Sequence, residues 1–189
     1  MLRAIHRLVE GHVTTNGDAV AVVEGDRSCS YRELNAAANS LARRLMTSGF
    51  RRGMCADVRM TPSVDLAVIL LAILKAGGYY TWRRADARLF QIPTVNEDSS
   101  LLVKDIQVNG LCGGPNLPVV TRETDIACVI DRAVGEESVA VPHATIIAMA
   151  PGTGCNRWSW VGEPGAFDLW AALICGATAV VARPRAITA

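Results

Sequence analysis

The sequence has no apolar run long enough to cross a lipid bilayer. Its longest runs, residues 66–74 and 169–182, fall short of the roughly 18 residues that a membrane-spanning helix needs, and Gly176 interrupts the second. Residues 1–13 carry charged side chains throughout, unlike the apolar core of a secretory signal. We therefore expect no transmembrane helix, no membrane partner and a cytoplasmic protein.

The chain also carries almost no net charge, because its 19 Lys and Arg residues offset 18 Asp and Glu residues. This balance provides no broad positive field for nucleic acid, which is not an expected partner. Half of the 189 residues are hydrophobic, and the mean hydropathy is +0.24, which excludes a disordered chain. The length suits one ordinary globular domain or a piece of a larger one.

Common nucleophile and metal motifs are absent as well. No G-x-S-x-G, H-E-x-x-H or G-x-G-x-x-G string occurs, and His6 and His12 lie six positions apart, on different faces of a helix. The six cysteines are widely spaced without a C-x-x-C pair, which favours buried free thiols over disulfides or zinc ligands. We expect no catalytic residue, no metal site and no cofactor.

Helical periodicity is clearest after Ser30. Ser30 and Glu33 have the spacing of a capping box, and apolar residues follow at helical intervals until Gly49. Residues 64–76 are apolar almost all round, which predicts a helix buried on a sheet. An opening amphipathic helix is predicted to stop near Gly11. Its apolar face comprises Leu2, Ile5, Leu8 and Val9, and its charged face comprises Arg3, Arg7 and Glu10.

Strand patterns alternate with the helices. A hairpin is predicted over residues 18–30, with its turn at Gly25 and Asp26. Further strands are predicted at 55–60, 79–82, 101–103, 119–120, 126–130, 139–141 and 178–181, with helices from about 143 and over 167–175 and a loop over 151–165. This order predicts an α/β fold with a mainly parallel sheet flanked by helices. The expected buried residues are Leu34, Leu41, Leu45, Leu66, Ile69, Leu70, Ile73, Trp170 and Leu173.

Four strings stand out in chain order. They are CSYRELNAAANSLARRL (29–45), LAVILLAILKAGGYY (66–80), DIACVI with VAVPH (125–130 and 139–143) and DLWAALICGATAVVA (168–182). Together they resemble the amino-terminal part of nonribosomal peptide synthetase adenylation domains, which belong to the acyl-adenylate-forming superfamily. The resemblance implies the fold of that amino-terminal subdomain. It also implies an activity in which an amino acid attacks the α-phosphate of Mg-ATP and the adenylate passes to a carrier-protein thiol.

The same resemblance places a phosphate-binding loop between the strands at 127–130 and 139–141. The family pattern is Y-T-S-G-S-T-G-x-P-K-G, in which amides, hydroxyls and a Lys surround the triphosphate. Here the loop is shorter and has one Gly, no Thr and no Lys. It consists of Asp131, Arg132, Ala133, Val134, Gly135, Glu136, Glu137 and Ser138. Its three carboxylates repel a polyphosphate at pH 7, so we interpret the loop as an acidic turn that does not bind ATP.

Two further departures from the family concern the substrate and the length. Where the family has an Asp that holds the substrate ammonium group, this sequence has Glu163, followed by Pro164. The family segments that hold adenine and ribose, and the small domain with its catalytic Lys, have no counterpart in the 189 residues. We therefore expect residues 1–189 to form a single truncated adenylation-like domain that forms no adenylate on its own.

The resulting hypothesis is a noncatalytic adenylation-like domain that serves as a docking or scaffold element in nonribosomal peptide biosynthesis. The expected partner is a carrier protein, a neighbouring synthetase domain or a tailoring enzyme, with self-association as an alternative. Interface candidates are Trp158, Trp160, Val161 and Phe167, beside an open strand edge at 178–181. Two alternatives stay open: a split adenylating enzyme completed by another polypeptide, and a remnant without function.

Overall fold

The computed structural model describes residues 3–83, 100–103, 113–118, 121–130, 137–150, 156–160 and 166–182. Helices and strands alternate along most of this part of the chain. They are α1 (Ile5–Asn16), β1 (Val20–Glu24), β2 (Arg27–Ser30), α2 (Tyr31–Thr47), β3 (Cys55–Arg59), α3 (Val64–Lys75), β4 (Tyr79–Arg83), β5 (Ser100–Val103), β6 (Ile126–Ile130), β7 (Val139–Pro142), α4 (His143–Met149), β8 (Arg157–Trp160), α5 (Phe167–Ile174) and β9 (Thr178–Val181). The strand predicted at 119–120 lies outside the described residues.

The described strands form two sheets, where the sequence predicted one. The first has the order β2-β1-β9-β8, and the second has the order β5-β3-β4-β6-β7. Five of the seven pairings are parallel, and only β1 with β2 and β6 with β7 are antiparallel. The predicted mainly parallel α/β fold is therefore confirmed. No helix within the described ranges combines the length and the apolar character that crossing a membrane requires.

The β1–β2 hairpin leads directly into α2, and the predicted cap joins them. Gly25 turns the hairpin with a φ of +59°, a conformation that glycine adopts without steric cost. The Ser30 Oγ atom accepts the Glu33 N–H at 3.2 Å, and the Glu33 carboxylate accepts the Ser30 N–H at 2.8 Å. These reciprocal bonds complete the capping box and fix the start of α2.

Replacing Ser30 with alanine is expected to lower the free energy of unfolding by about 1 kcal/mol, because the amide at the third position of α2 loses its acceptor. Urea denaturation of the purified chain measures this loss. Ser48→Ala serves as the control, since Ser48 is exposed at the other end of α2 and only its backbone N–H takes part in the cap there. Equal stabilities for the two variants would contradict the prediction.

Helix α3 forms the centre of the core. All of its residues except Asp65 are buried, and it contacts strands of both sheets. Ser63 caps its start by accepting the Leu66 N–H at 3.1 Å. The buried positions predicted from periodicity are confirmed: Leu34, Leu41, Leu45, Leu66, Ile69, Leu70, Ile73, Trp170 and Leu173 are each at most 6% exposed.

Two predicted boundaries are wrong. Helix α1 continues past Gly11 to Asn16, and Glu10, assigned to its charged outer face, is buried. Glu10 is buried because it forms an ion pair with Lys75 of α3. In addition, the loop predicted over 151–165 contains strand β8, which pairs with β9 in parallel.

Candidate functional site

The predicted phosphate loop connects β6 to β7. These strands form an antiparallel pair that closes at Ile130 opposite Val139, so the eight intervening residues, 131–138, form the connection of a hairpin. Glu137 and Ser138 are described and exposed at the β7 end of this connection. Asp131, Arg132, Gly135 and Glu136 lie outside the described residues. The assignment of these six positions to a degenerate phosphate loop therefore stays a prediction.

Asp125 anchors the start of the hairpin. Its carboxylate accepts hydrogen bonds from the Arg52 guanidinium at 2.8 Å and from the Arg122 N–H at 2.9 Å. Burial works in the opposite direction, yet these donors lower the pKa of the Asp125 carboxyl. The Asp125 carbonyl also accepts the N–H of His143, which fixes the start of α4.

His143 caps α1 rather than its own helix. Its Nδ1 atom accepts the Ile5 N–H at 3.3 Å, and its ring meets the His6 ring edge-on with 6.2 Å between the centroids. Both imidazoles are at most 2% exposed. Burial lowers the pKa of His143 to about 4 and holds the pKa of His6 well below its usual value. The two rings are therefore neutral at pH 7.

A second polar group connects α1, α2 and α3 inside the fold, and we call it the buried polar cluster. It comprises four buried side chains, those of Glu10, Lys75, Asn35 and Asn39, together with the exposed residue Asn116 that closes it. Lys75 donates to the Glu10 carboxylate, and Asn116 Oδ1 accepts from the amides of both Asn35 and Asn39 at 3.0 Å. The cluster attaches residues 113–118 to the helices. Sequence reasoning missed it, although a lysine ending an otherwise apolar helix was a usable signal.

The predicted interface residues on and near β8 are only partly exposed. The Trp160 side chain is fully buried and packs against Trp82 with 5.9 Å between ring centroids, so it cannot anchor a partner through an exposed ring. Trp158 and Phe167 are half-buried. Val161 and Glu163 lie outside the described residues, and their roles stay predictions.

The open strand edge was also assigned to the wrong strand. Strand β9 lies inside its sheet, between β1 and β8, and β8 is outermost among the described strands. The reason is the parallel pairing of β1 with β9, in which Val22 lies opposite Ala179. Among the described strands, the edge on this side of the sheet is therefore β8 and not β9.

Among the described side chains, Cys29 and Cys128 are not activated nucleophiles, and no set of metal ligands is grouped. Cys29, Cys55, Cys128 and Cys175 are free thiols. Burial raises the pKa of Cys29 to about 11 and that of Cys128 to about 12, which keeps these thiols protonated at pH 7. Within the described ranges, no three side chains of His, Cys, Asp or Glu are grouped to hold a metal ion.

Two mixed sheets flanked by helices, with a hairpin connection at the expected phosphate-loop position, have the architecture of the amino-terminal subdomain of adenylate-forming enzymes. The sequence comparison agrees with this class. The family model described as "AMP-binding enzyme" matches residues 9–133, and the chain belongs to this family. The match includes the first three residues of the acidic loop.

Gramicidin S synthase 1 of Brevibacillus brevis is 31% identical over 150 residues, which is 68% of this chain and 14% of the synthase. The amino-terminal subdomain of Klebsiella oxytoca NpsA, solved in complex with 3-hydroxybenzoyl-AMSN, superimposes with a TM-score of 0.79 at 18% identity, covering 97% of this chain and 54% of that one. An artificially fused adenylation–PCP di-domain, NpsA-ThdA from the same organism, gives a TM-score of 0.76 at 18% identity, covering 97% of this chain and 40% of that one. This chain thus corresponds to the amino-terminal part of an adenylation domain and spans only a fraction of each relative.

Proposed function

We propose that this chain is a noncatalytic adenylation-like domain that acts as a docking element in nonribosomal peptide biosynthesis. The observation that carries the proposal is the composition of the β6–β7 connection. It has Asp131, Glu136 and Glu137 where the family has glycines, hydroxyls and a lysine. We further propose that residues 1–189 act as one domain.

The physical argument concerns the charge on a triphosphate. Nucleotide binding in this class of site depends on backbone amides and cations that surround the phosphates. At pH 7 the carboxylates of the connection repel the same oxygens, and a single Arg132 cannot replace a ring of donors. Glu137 is exposed at the β7 end of the connection, so at least one of these carboxyl groups lies at the surface.

The docking role is supported by the position of β8 and by the relatives. Strand β8 is one of the two end strands of its sheet among the described strands, the other being β2. Half-buried Trp158 lies on β8, and half-buried Phe167 lies at the start of α5. Edge strands and partly exposed aromatic side chains are common elements of protein interfaces. Since NpsA-ThdA joins an adenylation domain to a PCP, a carrier protein is the first partner to test, followed by a neighbouring synthetase domain and a tailoring enzyme.

Calorimetry with Mg-ATP is expected to give no measurable heat of binding, and pyrophosphate exchange with the proteinogenic amino acids is expected to stay at background. The reason is the missing donor set of residues 131–138. Arg132→Ala is the matched variant, because Arg132 is the only cation in that connection. Micromolar Mg-ATP binding that disappears in Arg132→Ala would overturn the noncatalytic assignment.

The docking role is tested with the purified chain by light scattering, alone and mixed with carrier proteins and synthetase domains. A defined complex is expected, and Trp158→Ala is expected to weaken it. Met46→Ala is the control, because it truncates a side chain on α2 that is 36% exposed, and it is expected to leave the complex unchanged. A monomer that binds none of these partners would contradict the docking role. The alternative that the chain is a remnant without function would then remain.

One observation favours a second candidate, the amino-terminal part of a split adenylating enzyme. The fold is retained over 97% of the chain at a TM-score of 0.79, so the framework for a complementing polypeptide is present. Co-expression with the missing remainder of an adenylation domain, followed by pyrophosphate exchange, tests this candidate. Exchange above background only in the mixture would support the split enzyme over the docking element.

A further inference from the structure

Helix α1 is attached to the fold by ionisable side chains as well as by apolar ones. Its start is capped by His143, its middle pairs Glu10 with Lys75, and Arg7 donates to the Leu117 carbonyl at 3.2 Å. His6 is buried in the same contact, beside His143. Acidic and basic groups rarely form so much of a helix's buried face, because burying a charge is costly unless it is paired.

The hydrogen bond from Ile5 defines the proton positions on His143. Because a backbone N–H only donates, Nδ1 of His143 must be the bare acceptor nitrogen, and the ring proton of the neutral form is on Nε2. That Nε2 atom is buried without a partner among the described residues, as is His6 Nδ1. A second proton on His143 would sit on Nδ1, turning the acceptor into a donor that faces the Ile5 N–H.

The charges around the two rings also oppose protonation. Lys75 from α3 and Arg7 from α1 lie on the His6 side, and an imidazolium at His143 would meet the positive end of the α1 dipole. Asp125, before β6, favours a charged His143, but burial outweighs it. Glu10, the acidic residue of α1, is already paired with Lys75 and Arg7.

We propose that α1 is released by acid through protonation of His143 and His6, while α3 and the two sheets remain folded. Protonation removes the cap of α1 and places two like charges 6.2 Å apart by ring centroid. An unfolded or undocked α1 leaves both imidazoles in water, where they accept protons freely. This device is independent of the proposed docking function.

The direction with pH follows from proton counting. The docked state holds His143 neutral down to about pH 4, whereas a solvated imidazole becomes charged below about pH 6.5. The undocked state therefore binds more protons across this window, and docking weakens as the pH falls through it. Between pH 7 and pH 5, His143 alone shifts the docking equilibrium by about 20-fold.

Hydrogen exchange with mass spectrometry on the full chain tests the proposal at pH 7 and pH 5. Between pH 7 and pH 5, peptides from α1 are expected to lose about 20-fold protection relative to peptides from α3 measured in the same sample. His6→Gln/His143→Gln is expected to remove this difference, since a Gln amide can still accept the Ile5 N–H but does not titrate. His12→Gln, which changes the third of the three histidines, is the matched control and is expected to retain it.

The opposite results overturn the proposal. Loss of protection in α1 and α3 together would mean global acid unfolding. Loss of protection at pH 5 in His6→Gln/His143→Gln would show that the release does not depend on these two histidines. If the double variant does not fold, an NMR titration of the three histidine rings in the unmodified chain replaces it. The His6 and His143 signals must then change to the charged form at the pH at which α1 amides open, and a change at any other pH would contradict the release mechanism.

Discussion

Replacing Lys75 with alanine is expected to lower the free energy of unfolding by about 3–5 kcal/mol. Lys75 is 1% exposed and neutralises Glu10, which is 8% exposed. The variant leaves the Glu10 carboxylate buried, with Arg7, at 2.8 Å, as its remaining charged partner among the described residues. It also removes a donor to Asn116 in the buried polar cluster. Urea denaturation followed by circular dichroism measures the change.

Two controls separate the ion pair from charge alone. Arg44→Ala removes one positive charge from an exposed position of α2 and is expected to change stability by less than about 0.5 kcal/mol. The double variant Glu10→Leu/Lys75→Met removes both charges and fills similar volume, and it is expected to be more stable than Lys75→Ala. A Lys75→Ala protein as stable as the parent would show that the Glu10 carboxylate finds other compensation.

The Trp170→Ala variant is expected to lose about 3–5 kcal/mol of stability. The Trp170 side chain on α5 is fully buried, and its Nε1 atom donates to the Tyr80 hydroxyl of β4 at 2.6 Å. Truncation therefore creates a large cavity and removes a hydrogen bond between α5 and the five-stranded sheet. Thermal denaturation of the purified chain gives the loss.

Trp170→Phe is the matched variant for the same position. It keeps an aromatic ring in the core and removes only the indole donor and part of the volume. A cost of about 1–2 kcal/mol is expected, which combines a lost hydrogen bond with a small cavity. If Trp170→Ala cost no more than Trp170→Phe, the packing of α5 against the sheet would not depend on this side chain.

Local patterns predicted the parts of the fold that depend on local physics. The capping box at Ser30 and the all-round apolar character of α3 each act over a few residues, and the structure confirms both. The position of Glu10 could not be predicted in this way. Its burial depends on Lys75, which is 65 residues away in sequence (75 minus 10), and helical periodicity does not report such a partner.

The order of the strands and their division into two sheets could not be predicted from the sequence for a related reason. Alternating apolar residues identify strands, but they do not show that β9 inserts between β1 and β8 or that the strands divide into two sheets. The burial of Trp160 follows from the same arrangement, because β8 brings it against Trp82 of the other sheet. The acidic composition of residues 131–138, by contrast, is explicit in the sequence and needed no structure.

The pairing of β1 with β9 has a consequence for synthesis on the ribosome. Val22 and Ala179, which lie opposite each other, are separated by 157 residues (179 minus 22). At roughly 5–20 residues per second, translation leaves the β1–β2 hairpin without this neighbour for about 8–30 seconds. During that interval the exposed strand is available to chaperones and to other nascent chains. The first sheet therefore cannot complete its pairing until nearly all of the described residues have been synthesised.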